Sequence, residues 1–80
     1  MTAEPPPKRK RRFPYRKVAD LEHEIHERET AVESINTALI DPSVLRDGEQ
    51  VRAIKLDLVA QQEALARLYE HWEEAVELNG

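Results

Sequence analysis

Eighty residues, with 16 acidic, 12 basic and no cysteine, leave room for one small domain and exclude a disulfide framework or a thiolate metal site. No apolar stretch approaches the ~20 residues that cross a bilayer, and no signal-peptide pattern follows Met1, so no membrane partner is expected. The net charge of −4 conceals a division: residues 1–17 set seven basic residues against Glu4 alone (+6), whereas residues 18–80 carry five basic and fifteen acidic residues (−10).

In chain order, Pro5, Pro6 and Pro7 favour extended backbone and forbid helix. Lys8 to Arg12 is a run of five like charges, which repels itself. Residues 1–14 are therefore expected to be a disordered, Pro-rich and basic arm. Pro14 suits the start of a helix, and a first helix is predicted from about Tyr15 to about Ile40. Its apolar residues are Val18, Leu21, Ile25, Val32, Ile35 and Leu39. Asp41-Pro42 ends it, because the residue before a proline is pushed out of the α region. Residues 41–47 make the turn. Asp47 reads as an N-cap with Gln50 as its capping-box partner. A second helix is predicted from about Gly48 to about Leu78, with Val51, Ile54, Leu58, Leu65, Leu68, Trp72 and Ala75 along one edge.

In both runs the apolar steps of three and four average about 3.5 residues, the period of a coiled-coil seam. Either edge alone would stand in water, and two edges joined by a short turn can cover each other. The predicted fold is all-α: a two-helix antiparallel coiled-coil hairpin over residues 15–80, carrying the disordered basic arm. With Val18 and Val51 as a positions, Arg28 and Gln61 are the polar d residues. Arg28 is expected to pack its stem and turn its head toward Glu24. Facing residues should total roughly 86 or 93 in number; the first register sets Ile25 by Gln61 and the second sets Val32 there. Phe13, Tyr15, Tyr69 and Trp72 gather at the open end, as a hydrophobic plug or, in a competing reading, as a stacking surface for unpaired bases.

Nothing in the sequence favours catalysis. There is no Gly-rich phosphate loop and no nucleophile context, and a two-helix rod offers no concave pocket. His23 and His26 share a helix face, yet they fall on outward positions and lack the four-residue zincin spacing, so no metal and no cofactor is expected. The functional signal is the cationic series Lys8, Arg9, Lys10, Arg11, Arg12, Arg16 and Lys17. Neutralising about five phosphates would give a log–log salt slope of about −4 to −5 on duplex DNA, with affinity but no sequence preference. Arg46, Arg52 and Lys55 form a secondary basic group near the turn. The KRKRR run also fits a nuclear-import signal or a solubilising linker. Glu70, Glu73, Glu74 and Glu77 offer the arm an intramolecular partner late in the second helix, where negative charge opposes the dipole. Leu56 and Val59 project away from the seam, which allows protein docking or weak self-association of an otherwise monomeric chain.

Residues from about Lys10 to Leu78 resemble the C-terminal coiled-coil domain of ABC-F ATPases, the Uup-like branch in particular. The resemblance rests on the basic lead into Phe13-Pro14-Tyr15-Arg16-Lys17 and on the Leu21-Glu22-x-x-Ile25 heptads. It continues in the turn Asp41-Pro42-x-x-Leu45-x-Asp47 and the ending Leu68-Tyr69-x-x-Trp72-Glu73-Glu74. It implies that this hairpin is the tail of a cytoplasmic parent with two ATP-binding cassettes. The implied partners are DNA or ribosomal RNA and the cassettes of the same parent chain. No cassette motif occurs in these residues, so ATP hydrolysis would belong to the parent and the chain itself is not expected to be an enzyme. The helical arm of a synthetase is a fold-level rival, with a less similar turn and ending.

Overall fold

A computed structural model describes residues 11–79. These residues form three helices, α1 (Val18–Ala38), α2 (Pro42–Leu45) and α3 (Gly48–Asn79), and no strand. Residues 1–10, which include most of the predicted disordered arm, lie outside the described residues.

Helix α1 begins at Val18, later than the expected Tyr15. Lys17 is its N-cap, with extended backbone (φ −67°, ψ 140°) and no side-chain cap. The delay has a physical cause in what precedes it. In a helix starting at Tyr15, the Pro14 carbonyl would accept from the Val18 N–H. Instead it accepts from His71 Nε2 at 2.8 Å. The backbone N–H groups of Arg12 and Phe13 donate to the Glu74 carboxylate at 2.7 and 3.1 Å. The Arg16 carbonyl accepts from Asn79 Nδ2 at 2.9 Å. The stretch from Arg11 to Lys17 is thus a non-helical strap fastened to the last turns of α3.

The connection after α1 is also more regular than expected. Bonds from the Ile40 and Asp41 N–H groups to Thr37 and Ala38 carbonyls tighten the end of α1. Asp41 then caps a new helical turn: its carboxylate accepts from the Ser43 N–H at 2.9 Å, with Pro42 at the first helical position. The Asp-Pro pair that stops one helix therefore starts another, because an Asx cap and a preset φ are what a helix N-terminus requires. Asp47 caps α3, accepting from the Glu49 and Gln50 N–H groups at 3.1 and 3.2 Å. The reciprocal bond of a capping box is replaced, since the Asp47 N–H donates to the Val44 carbonyl at 3.0 Å.

Helices α1 and α3 pack against each other, and α2 rests on α3. Leu21, Ile25, Leu68 and Ala75 form the buried core, with Val18 and Trp72 packed on it. Each fully buried Leu or Ile contributes about 1.5–3 kcal/mol. Across the seam, Trp72 Nε1 donates to Glu22 at 3.1 Å, the Tyr69 hydroxyl donates to Glu29, and Arg28 donates to Gln61 Oε1 at 2.9 Å. Arg28 therefore does not reach Glu24. Arg16 takes that carboxylate instead, at 2.8 Å.

Candidate nucleic-acid interface

The functional candidates divide between the two ends of α3. Lys8, Arg9 and Lys10 lie outside the described residues. Arg11 and Arg12 open the strap and reach Asn79 and Glu74 of α3, whereas Arg16 and Lys17 close it and the Arg16 guanidinium turns to Glu24 of α1. Arg46, Arg52 and Lys55 are exposed near its start. At 1.5 Å per residue, Arg52 and Glu74 are roughly 33 Å apart along α3, so the two basic groups form separate patches.

Glu74 organises the strap end. Its side chain is 1% exposed, which an ionised carboxylate tolerates only when hydrogen-bonded and paired. Both conditions are met: two successive backbone N–H groups donate to it, and the Arg12 guanidinium lies 3.8 Å away. Arg12 keeps 56% of its side chain exposed, so its charge is shared between Glu74 and solvent. Phe13 stacks on the His71 ring with centroids 4.7 Å apart. His71 thereby serves the strap twice, as a flat apolar surface and as the donor to Pro14. Asn79 closes the arrangement, since its Oδ1 accepts from Arg11 at 2.6 Å while its amide holds Arg16.

The aromatic plug is smaller than expected. Phe13 and Trp72 belong to the packing, whereas Tyr15 stays exposed beneath the Arg11 guanidinium. Of the four glutamates read as a partner for the arm, Glu74 is the buried one; Glu70, Glu73 and Glu77 are exposed. The sequence reading missed His71 and Asn79 as strap residues. One signal was available: Glu74 falls in the last turns of a helix, where a negative charge opposes the dipole and so calls for donors from elsewhere.

Among the described residues, no three His, Cys, Asp or Glu side chains gather to hold a metal ion. His23 instead faces Glu27 at 2.8 Å on the same helix. Asp41 and Tyr69, both away from the strap, have displaced proton affinities. Bonds from the Ser43 hydroxyl and N–H hold the Asp41 carboxyl below its ordinary value. The bond to Glu29, followed by desolvation and the charge of Glu29, pushes the Tyr69 phenol up. No helix is long and apolar enough to cross a membrane, among the described residues.

These features define a helical module whose cationic lead-in is fastened to its own acidic helix end. Residues 12–77 match the ABC transporter C-terminal domain family, and the chain belongs to that family. The matched span runs from the strap to the last turns of α3. No curated protein and no solved structure matches the chain.

Proposed function

We propose that the chain is the non-catalytic, nucleic-acid-binding tail of a cytoplasmic ABC-F type ATPase of the Uup-like branch. It binds DNA or ribosomal RNA without sequence preference, through Lys8, Arg9, Lys10, Arg11, Arg12, Arg16 and Lys17, with Arg46, Arg52 and Lys55 as a secondary patch. In this reading α1 and α3 are the two arms of an antiparallel coiled-coil hairpin. The bonded pairs Glu22–Trp72 and Glu29–Tyr69 support the register in which Leu21 faces Trp72 and Val32 faces Gln61. The ATP-binding cassettes belong to the parent chain.

The observation that carries the reading is the +6 balance of residues 1–17, of which Arg11, Arg12, Arg16 and Lys17 belong to the strap. Phosphate attraction needs concentrated cations more than it needs a base-reading element. Glu74 and its neighbours compete for the same cations, so part of the arm's charge is held in reserve. A second reading from another class rests on Leu56 and Val59, which are 70% and 51% exposed and would suit docking on a protein or on a second copy.

Titration of labelled duplex DNA and an RNA hairpin over a salt series separates the two. Replacing Lys8, Arg9 and Lys10 with glutamine should lower the log–log salt slope on duplex by about 3. Replacing Glu70, Glu73, Glu74 and Glu77 with glutamine should tighten binding. No affinity near ~50 mM salt, together with a dimer in sedimentation that Leu56→Ser abolishes, would favour the second reading.

A further inference from the structure

Three of the four aromatic side chains are committed to the fold. Phe13 lies on His71, Trp72 packs on the core and donates to Glu22, and the Tyr69 hydroxyl bonds Glu29. Tyr15 is the exception. Its side chain is 64% exposed, although it sits on the strap two residues from Phe13.

The surroundings of Tyr15 are built. The Arg11 guanidinium lies over its ring, 5.3 Å from the centroid. Arg11 is itself held by Asn79 Oδ1 at 2.6 Å, and the amide of the same Asn79 holds the carbonyl of Arg16, the residue after Tyr15. One side chain thus fixes both the cation above the ring and the backbone beside it. Arg12 and Lys17, on the same strap, are exposed as well. An aromatic face beside arginine, set among phosphate-attracting cations, is the arrangement that stacks the bases of single strands. The faces of a duplex base are already covered by its neighbours.

We propose that Tyr15, with Arg11 locked over it by Asn79, is a stacking platform for one unpaired nucleobase. The platform gives the tail a preference for single-stranded segments over duplex. The inference deepens the nucleic-acid reading above and rests on it.

The test is fluorescence anisotropy on the full chain with a labelled oligothymidylate and a duplex of equal length, over a salt series. The native chain should bind the single strand more tightly. Tyr15→Ala should weaken single-strand binding about tenfold and duplex binding within about twofold, with the salt slope unchanged because no phosphate contact is lost. Tyr15→Phe should behave as native, and Asn79→Ala should show a smaller loss than Tyr15→Ala. Circular dichroism of each variant should report unchanged helicity. Equal losses on both probes, or no loss on either, would overturn the platform while leaving nucleic-acid binding in place. Failure of the native chain to bind either probe would overturn both.

Discussion

At the end of the molecule where α3 finishes, Leu21, Ile25, Leu68 and Ala75 are buried; where α3 starts, Leu39, Val51, Ile54 and Leu58 are only half-buried. The seam pattern is the same at both ends, so the apolar residues alone do not explain the contrast. Two helices touch along a line, and each core side chain keeps an open flank. At the finishing end a third segment, the strap, lies on the last turns of α3, where it stacks Phe13 on His71 and brings the N–H groups that satisfy Glu74. At the starting end only α2 lies across α3, and Ile40, Leu45, Leu56 and Val59 remain exposed. Among the described residues, the buried core lies at the end where a non-helical segment joins α1 and α3.

The comparison can be broken most forcefully at Leu21. Leu21→Ala should cost about 2–5 kcal/mol, whereas Leu58→Ala, on the half-buried side, should cost about 1 kcal/mol. Thermal unfolding followed by circular dichroism would check both, and equal costs would mean that the strap adds nothing to burial. Glu74→Ala comes next, with an expected loss of about 1–2 kcal/mol. Freed N–H groups of Arg12 and Phe13 can rehydrate once the strap lifts, which keeps the figure below that for Leu21. Amide exchange should accelerate at Arg12 and Phe13 and stay unchanged at Glu49 and Gln50. The smallest effect belongs to the opposite end and to pH. The folded Asp41 carboxyl titrates below its ordinary 3.8, so its contribution is fully present above that value and fades as pH falls through the lower folded one. Amides of α2 should lose protection as pH falls through that range, and Asp41→Asn should flatten that dependence.

The seam was legible because it is periodic: each apolar residue at a step of three or four reports the same helix face. The Asp47 cap was legible because capping chemistry is local, acting over two or three residues. The strap was only half legible. Opposite charges at the two ends of the sequence pointed to a meeting between arm and α3, yet the attachment runs through backbone groups of Arg12, Phe13, Pro14 and Arg16. Such bonds join residues about sixty positions apart and leave no spacing to read. For the same reason Arg28 was matched with Glu24, its neighbour on one helix face, when Gln61 and Arg16 were the partners that the folded geometry supplied. The α2 turn is not legible in the same way, because Asp-Pro carries two instructions, stop and start, and spacing alone does not rank them.

The order in which the strap meets the helices has a mechanical consequence. The polypeptide is fastened to α3 at Glu74, His71 and Asn79 before it enters α1 at Val18. A pull applied at Arg11 therefore loads α3 first, through several hydrogen bonds, and α1 feels tension only after the strap has peeled away. Whatever body is attached ahead of Arg11 thus steers the long helix by its far tip, as a hand steers a rod gripped at one end.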